Sequence, residues 1–375
     1  ADKAIASEVF KLMGLPPVEL EAQKNANDAT EDKQADHHSE DKTQVKEEQI
    51  TVATTESTIQ TNNNYSKRQY FFLGIGGIGM SAIARYFHQR GHLVGGYDLT
   101  RTPLTQALED EGINVHYEDN ISRIPVRFMD RDNTTIIYTP AVPNDMNEKT
   151  FFAKGGFTLL KRSEILGELT KGQQALCVAG THGKTTTSTM LAHLLNQRKQ
   201  GVNAFLGGIS KNYQSNLLVS STSNEVVVEA DEYDRSFLRL YIKMRIITAL
   251  DADNLDIYSR NENLLQGFAD YTSQIQENGV LVIKKGLPLQ PNTKTSVSVY
   301  TYSATEKADY YAENIVAENG RLFFDFVSPH GRINGVELGV PVLINVENAV
   351  AAMAVAQLNG VSDQELKEGV SSFAG

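Results

Sequence analysis

Residues 179–187 have the sequence Ala-Gly-Thr-His-Gly-Lys-Thr-Thr-Thr, and the rest of the chain is organised around this loop. An apolar run at residues 175–179 leads into it, and residues 190–195 follow with the apolar spacing of a helix. A strand, a glycine turn and a helix in this order favour phosphate binding. Glycine lets backbone N–H groups close on an anion, and the helix N-terminus adds unpaired donors. The stretch is therefore predicted to bind a nucleoside triphosphate.

Two side chains of the loop have the chemistry that a triphosphate requires. Lys184 offers a positive charge to the outer phosphates, and the Thr185 hydroxyl suits Mg²⁺. The alternative is a glycine turn with a solvated lysine. That interpretation does not explain why the strand, the glycines, the lysine and the threonine occur together in this order.

The loop is shorter than the usual P-loop, which has four residues between its glycines. Here only Thr181 and His182 separate Gly180 from Gly183. The short form Gly-Thr-His-Gly-Lys-Thr-Thr resembles the ATP loop of the Mur ligases, which build the peptide stem of bacterial cell-wall precursors by ATP-driven amide formation. The resemblance implies ATP as the nucleotide, bound by Gly180, Thr181, Gly183, Lys184, Thr185 and Thr186.

Length, charge and cysteine content limit the class of protein. A chain of 375 residues is long enough for two or three domains with their own cores. The net charge of −11 argues against a general nucleic-acid surface, and no apolar run approaches the roughly 18 residues of a membrane span. A single cysteine excludes an internal disulfide framework and fits a reducing compartment. Together with the resemblance, which implies a bacterial cytoplasmic protein, these features lead us to expect no nucleic-acid partner and no membrane span.

Residues 1–66 are predicted to form a short amphipathic helix followed by a disordered acidic and polar linker, because large apolar side chains are scarce after residue 19. The histidine pair at residues 37 and 38 is either a metal site or, as we expect, solvated. The opening helix resembles the end of the glycosyltransferase that acts later in the same pathway. This resemblance implies a fusion to, or an association with, another peptidoglycan-synthesis enzyme.

A second glycine motif, Gly-Ile-Gly-Gly-Ile-Gly at residues 74–79, follows a buried-strand pattern at residues 69–73. With Asp98 at the end of the next predicted strand, it satisfies the dinucleotide fingerprint. Taken alone, the fingerprint suggests NAD. The physical requirement is only a diphosphate at a helix N-terminus with a carboxylate near a ribose or base, which a UDP-sugar also meets.

The fingerprint also resembles the UDP-binding domain of the Mur ligases. The resemblance implies a Rossmann-like UDP-sugar-binding domain at residues 67–166 and an ATP-binding central domain at residues 167–375, both of α/β class with parallel sheets. Arg162 either pairs with the diphosphate or is a solvated cation at the domain joint. The implied UDP-sugar-binding residues are Gly74, Gly76, Gly77, Gly79, Asp98 and Arg162.

Residues 225–234 combine an apolar strand pattern with the acidic sequence Glu-Ala-Asp-Glu-Tyr-Asp. Clustered carboxylates repel one another unless a cation lies among them, and beside a triphosphate the simplest cation is Mg²⁺. The string resembles the second ATP-site motif of the Mur ligases, which implies that Glu229 binds the metal beside the γ-phosphate. An ordinary acidic surface loop is the alternative.

Two further matches to the family carry substitutions. Asn254 stands where the ligases usually have a histidine that helps to hold a second metal, so we expect metal binding there to be weaker. Asn345 and Asn348 match an asparagine pair that contacts the adenosine of ATP, although Ile344 replaces the usual preceding histidine. The alternative role for Asn345 is that of a helix N-cap.

The resemblance implies an ATP-dependent ligation of L-alanine to the carboxylate of UDP-N-acetylmuramate through an acyl phosphate. Lys184, Glu229 and His182 are the implied catalytic residues, although His182 is alternatively a residue that only lines the loop. The third domain of the family, which brings the amino acid, is expected to be absent, so we expect little or no turnover. The rivals are a recycling ligase that adds a ready-made peptide to the same UDP-sugar, a non-catalytic nucleotide-binding module, and a nicotinamide-dependent oxidoreductase.

Overall fold

The computed structural model describes residues 68–230, 242–250 and 258–375, with the side chains of residues 258–264 left undescribed. Three sequence predictions lie outside these ranges. They are the helix and linker at residues 1–66, the carboxylates at residues 231–234, and the metal ligand Asn254.

A first sheet of five parallel strands is built by residues 69–161, in the spatial order β3-β2-β1-β4-β5. The strands are β1 (Gln69–Leu73), β2 (Leu93–Tyr97), β3 (Asn114–His116), β4 (Thr134–Tyr138) and β5 (Thr158–Lys161). The connections contain helices α1 (Ile78–Gln89), α2 (Pro103–Asp110) and α3 (Asn147–Lys154), and two 3₁₀ turns at Ile121–Arg123 and Val126–Met129. Helix α4 (Arg162–Thr170) begins directly after β5.

Local sequence explains these elements. Strand β1 is apolar and almost entirely buried, as a central strand covered on both faces must be. Helix α2 begins with a capping box between Thr102 and Thr105, and Pro103 occupies its first turn. Because the strands are parallel, the loops that follow β1, β4 and β5 all emerge at one edge of the sheet, where ligands of such folds bind.

A second sheet of ten strands follows in the order β15-β14-β13-β12-β11-β10-β6-β9-β7-β8. The seven strands from β13 to β7 in this order are parallel to their neighbours, whereas β8, β14 and β15 pair antiparallel. The bounds are β6 (Gln174–Ala179), β7 (Asn203–Ser210), β8 (Ser215–Leu218), β9 (Glu225–Glu229), β10 (Ile242–Ile247), β11 (Val280–Lys284), β12 (Ser298–Ser303), β13 (Tyr310–Glu318), β14 (Arg321–Ser328) and β15 (Gly331–Glu337).

Helices α5 (Lys184–Leu195), α6 (Tyr258–Ser273), α7 (Ile344–Leu358) and α8 (Asp363–Ser372) accompany the second sheet. Helix α7 is rich in alanine and buried along most of its length, and it packs with α5 in one continuous core. Leu191, Val350 and Met353 belong to that core. This packing places the N-termini of α5 and α7 near each other.

The predicted α/β class is confirmed, with a Rossmann-like parallel sheet followed by a second, mainly parallel sheet. The apolar runs at residues 69–73, 93–97 and 134–138 each predict a strand, and the three strands have these bounds in the structure. The apolar run at residues 202–206, followed by Gly207 and Gly208, predicts a strand that ends in a turn, but this turn is wrong, because β7 continues through both glycines to Ser210. Strands β8, β13 and β15 and helix α3 were not predicted, since their sequences lack a clear period or are interrupted by polar residues.

Candidate active site

The loop between β6 and α5 has the backbone shape predicted for a phosphate cradle. Gly183 is the N-cap of α5 and has a φ of 78°, while Gly180 has a φ of 139°. Both values lie in the region that favours glycine. A Cβ on Gly180 would lie 2.3 Å from Oγ1 of Thr248, so a side chain there would collide with the segment that follows β10.

The segment that follows β10 holds this loop in place. The Thr181 N–H donates to the carbonyl of Ala249 over 2.9 Å, and the Thr248 hydroxyl donates to the carbonyl of His182. The loop backbone is therefore held by hydrogen bonds from a neighbouring part of the sheet.

Lys184 and Thr185, the first residues of α5, point their polar atoms toward the loop and toward β9. The Lys184 Nζ donates to the carbonyl of Gly180 over 2.6 Å. The Thr185 hydroxyl donates to Oε1 of Glu229 over 3.1 Å. A hydroxyl and a carboxylate oxygen are hard oxygen donors of the kind Mg²⁺ prefers, so the described residues fit the predicted metal.

Gly207 of β7 lies directly against Glu229, the last residue of β9. A Cβ on Gly207 would lie 1.9 Å from Oε2 of Glu229. The carboxylate occupies that space because β7 and β9 are adjacent parallel strands. Sequence reasoning missed Gly207, and its only signal was a glycine pair inside an apolar run.

The fingerprint loop between β1 and α1 is braced by Asp98. Gly74 has a φ of 85°, and the Gly76 N–H donates to Oδ2 of Asp98 over 2.7 Å. The other carboxylate oxygen, Oδ1, accepts from the N–H of Thr100 over 3.1 Å. In this structure the carboxylate predicted to contact a ribose therefore also shapes the glycine loop itself.

Arg162, the first residue of α4, reaches the start of α1. A Cβ on Gly79 would lie 2.8 Å from Nη1 of Arg162, so the guanidinium covers the first turn of the helix. A helix N-terminus and a guanidinium together make a favourable environment for a phosphate or diphosphate. Gly79 and Arg162, both predicted UDP-sugar-binding residues, are therefore close in the structure although 83 positions separate them in the sequence.

One cavity of about 400 Å³ joins the two predicted sites. Gly77, Gly79 and Arg162 line it from the first sheet, and Lys184 and Glu229 line it from the second. Further lining residues come from α1, the loop after β4, α4, β7 and β9. The two glycine motifs, about 100 residues apart in the sequence, therefore face one space.

Asn345 and Asn348 lie in the first turns of α7, both nearly buried, and neither lines this cavity. Asn348 Nδ2 donates to Oδ1 of Asn345, while Oδ1 of Asn348 accepts from the hydroxyl of Thr187 over 3.1 Å. The pair therefore ties α7 to α5 behind the ATP loop. The alternative N-cap role for Asn345 is wrong, because the helix begins at Ile344 after Leu343.

Cys177 lies on β6, just before the ATP loop, and is completely buried. Burial raises the pKa of its thiol to about 12, and the charge of the neighbouring Arg245 offsets only part of this effect. The thiol therefore stays protonated at neutral pH, and a protonated thiol is a poor nucleophile. Its role is packing.

Across the described ranges, no group of three or more His, Cys, Asp or Glu side chains is arranged to hold a metal ion. Thr185 and Glu229 are the predicted metal ligands that the structure describes. The helices in the described part of the chain include none with both the length and the apolar character needed to cross a bilayer.

Two sequence families match the chain. The family described as "Mur ligase family, catalytic domain" matches residues 69–174, and the "Mur ligase middle domain" matches residues 178–356. Each match contains one of the two glycine motifs.

Curated relatives agree with these matches. A UDP-N-acetylmuramate–L-alanine ligase of Porphyromonas gingivalis is 56% identical over 309 residues, which is 82% of this chain and 68% of the relative. The enzyme of the same name from Parabacteroides distasonis is 54% identical over 305 residues, covering 81% of this chain and 66% of the relative.

Solved structures share the fold. A UDP-N-acetylmuramate–alanine ligase from Thermotoga maritima superposes with a TM-score of 0.71 at 26% identity, over 82% of this chain and 69% of that one. A UDP-N-acetylmuramate:L-alanyl-γ-D-glutamyl-meso-diaminopimelate ligase from Neisseria meningitides gives a TM-score of 0.72, covering 82% of this chain and 98% of that chain. Its identity of 22% supports the fold alone.

Proposed function

The chain belongs to the Mur ligase family, and we propose that it carries the UDP-sugar and ATP sites of a ligase that joins L-alanine to UDP-N-acetylmuramate. The family uses ATP. The observation that carries the proposal is the shared cavity, in which Arg162 and the fingerprint glycines face Lys184 and Glu229. A reaction between a UDP-sugar and a triphosphate needs both ligands in one space.

The first step transfers a phosphoryl group. An oxygen of the sugar carboxylate attacks the γ-phosphorus of ATP, an O–P bond forms, the bond to the β-phosphate oxygen breaks, and ADP leaves. Both reactants are anions, so the protein must position them and offset their charge. Lys184 offers its ammonium to the outer phosphates, and the loop glycines offer backbone N–H groups.

Thr185 and Glu229 are proposed to hold Mg²⁺, which would neutralise charge on the phosphates. Their oxygens are 3.1 Å apart, and Glu229 lines the same cavity as Lys184, which supports this assignment. Asn254 remains proposed as a ligand for a second, weaker metal. Asn345 and Asn348 remain proposed ATP contacts, on the ground that they pack directly behind the loop.

The second step forms the amide. The neutral amino group of the acceptor attacks the acyl phosphate carbonyl, an N–C bond forms, the C–O bond to phosphate breaks, and the nitrogen loses a proton. His182 lies in the ATP loop, two residues before the cavity-lining Lys184, and it is proposed to approach the reacting carboxylate. We propose L-alanine as the acceptor because the relatives at 54% and 56% identity bear that name.

The proposal includes a cytoplasmic location, where ATP is available, and an amino-terminal segment that links the chain to another enzyme of peptidoglycan synthesis. The recycling ligase is the second candidate. The structures that point to it are 22% identical to this chain, which supports the fold and not the acceptor.

Calorimetric titration of the purified chain tests the proposal. UDP-N-acetylmuramate is expected to bind with a single saturable site, and NADH is expected not to bind. Binding of NADH without binding of the UDP-sugar would overturn the proposal, because the fingerprint would then serve a dinucleotide. Arg162→Ala is the matched variant for UDP-sugar binding, and Arg131→Ala on the exposed surface is its control.

A further inference from the structure

Asn216 on β8 is fully buried, and its side-chain amide bonds entirely to helix α1 of the first sheet. Its Nδ2 donates to the carbonyl of Ile78 over 2.6 Å and to the Ser81 hydroxyl over 2.9 Å. Its Oδ1 accepts from Nη1 of Arg85 over 2.6 Å. One side chain of the ATP-binding sheet thus holds the first two turns of the fingerprint helix.

The partners dictate which way this amide points. Arg85 can only donate a hydrogen bond and the Ile78 carbonyl can only accept one, so oxygen must face Arg85 and nitrogen must face Ile78. Aspartate would place an acceptor against the carbonyl, and an apolar residue would leave three buried polar groups without this partner. The position therefore requires an amide.

The charge of Arg85 does not disturb this arrangement. Arg85 is 5% exposed, and its Nε and Nη2 atoms form a bidentate pair with Glu111 at distances of 2.7 to 2.9 Å. A bidentate guanidinium–carboxylate pair is both oriented and neutralised. The remaining Nη1 is thereby aimed at Asn216.

The Asn216 side chain joins two elements that each contribute a wall to the candidate active-site cavity. Ile78, whose carbonyl Asn216 holds, lines the cavity. Strand β7, which pairs with β8, contributes Phe205 and Gly207 to the opposite wall. The ring of Tyr86 on α1 packs against Phe205 with centroids 5.3 Å apart, so apolar contact reinforces the polar bonds.

We infer that Asn216 is a positioning residue. It fixes helix α1 against the β7–β8 hairpin and thereby couples the binding of the UDP-sugar to the binding of ATP. The inference rests on the proposed function, because Asn216 fixes the position of the proposed UDP-sugar site relative to the proposed ATP site. A ligand bound in either site restricts the motion of the cavity wall that the two sites share. The second ligand then loses less conformational entropy in ordering that wall, so it binds more tightly. Without Asn216 the two walls move independently and the coupling is lost.

Asn203 on β7 is the matched control. It is 4% exposed, and its amide also makes three hydrogen bonds, to the carbonyls of Ser223 and Glu225 and from the N–H of Ser220. All of these partners belong to the second sheet. Replacing either asparagine removes a buried amide, but only Asn216 crosses to α1.

The experiment is a calorimetric titration of UDP-N-acetylmuramate with and without a saturating, non-hydrolysable ATP analogue and Mg²⁺. In the wild type we expect the analogue to tighten binding of the UDP-sugar by roughly 5-fold or more. In Asn216→Ala we expect that ratio to lie within about 2-fold of unity, with each single-ligand affinity changed less than the ratio. In Asn203→Ala we expect the wild-type ratio despite a lower melting temperature.

The possible results of this titration separate a failure of the inference from a failure of the proposed function. Equal losses of coupling in the two alanine variants, or an unchanged ratio in Asn216→Ala, would overturn the inference, as would a wild type that binds both ligands independently. A wild type that does not bind the UDP-sugar would instead overturn the proposed function. If Asn216→Ala does not fold, Ser81→Ala removes one of its partners and is expected to lower the ratio partially; an unchanged ratio there counts against the inference.

Discussion

The Thr185 hydroxyl donates a 3.1 Å hydrogen bond to Oε1 of Glu229, across 44 residues of sequence. The two residues belong to different elements, the start of α5 and the end of β9, that meet because β9 lies beside β6 in the sheet. Glu229 and Lys184 line the same cavity. The Thr185–Glu229 pair is the part of the proposed metal site that the structure describes.

Glu229→Gln is expected to weaken Mg²⁺-dependent binding of an ATP analogue about 10-fold or more, because the amide keeps the hydrogen bond to Thr185 but loses the negative charge that attracts the metal. Binding measured in the presence of a chelator should change little. Titration calorimetry at several Mg²⁺ concentrations checks this, with the exposed Glu277→Gln as control. An equal loss with and without Mg²⁺ would contradict a metal role.

Lys184→Ala is expected to reduce affinity for the ATP analogue by about 10-fold or more and to leave affinity for UDP-N-acetylmuramate within about 2-fold. The ammonium is proposed to contact the phosphates of the nucleotide, and it donates a hydrogen bond within its own loop, to the carbonyl of Gly180. Lys199→Ala, an exposed lysine just beyond the other end of α5, is the control. A similar loss of affinity for both ligands would show that the loop had collapsed.

Gly207→Ala is expected to fold normally but to raise the Mg²⁺ concentration needed for nucleotide binding several-fold. The added Cβ meets the end of a flexible side chain, the Glu229 carboxylate, which must turn away from Thr185. Gly267→Ala is the control, because that glycine lies within helix α6, has no positive φ and has no neighbour within 4 Å of a Cβ. A thermal melt and a Mg²⁺ titration measure the two effects separately, and an unchanged Mg²⁺ requirement would contradict the expectation.

His193 is expected to make stability depend on pH. Burial lowers the pKa of its imidazole below the usual value, while a backbone contact with Gly369 opposes this in part. A lowered folded-state pKa means that the contribution is present above the unfolded value of about 6.5 and is lost as pH falls through the folded value. The melting temperature of the wild type should therefore fall more steeply between about pH 7 and pH 5 than that of His193→Gln.

The exposed His330→Gln serves as the control for this slope. The melting temperature of His330→Gln should fall in the same way as that of the wild type over the same pH range. A His193→Gln variant whose melting temperature follows the wild type at every pH would show that His193 does not titrate in this range.

Arg245→Met is expected to be as stable as the wild type or more so. The guanidinium is fully buried on β10 and stacks on the ring of Tyr271 at 3.5 Å, while all three of its nitrogens lack a hydrogen-bond partner among the described residues. Replacing a desolvated charge by an apolar side chain of similar volume is often neutral or stabilising. Arg245→Ala, by contrast, should lose about 2–4 kcal/mol because it leaves a cavity.

Denaturant unfolding of the two variants separates charge from volume at this position. If Arg245→Met loses as much stability as Arg245→Ala, the guanidinium has a partner of opposite charge outside the described ranges.

The sequence by itself determined the elements whose signals are local. The bounds of β1, β2 and β4 and the glycine turns before α1 and α5 follow from apolar runs and from backbone angles that glycine adopts most easily. The family resemblance rested on the same short motifs, because a phosphate-binding loop is specified within about ten residues.

Only the tertiary structure decided which of these motifs meet. The pairing of Thr185 with Glu229, the place of Arg162 over Gly79 and the bonds from Asn216 to α1 depend on strand order and on the packing of one sheet against the other. No local propensity encodes such contacts, since they arise from the burial of apolar surfaces that are far apart in the chain. For the same reason Asp98 and Asn345 have structural bonds that their motifs alone did not indicate.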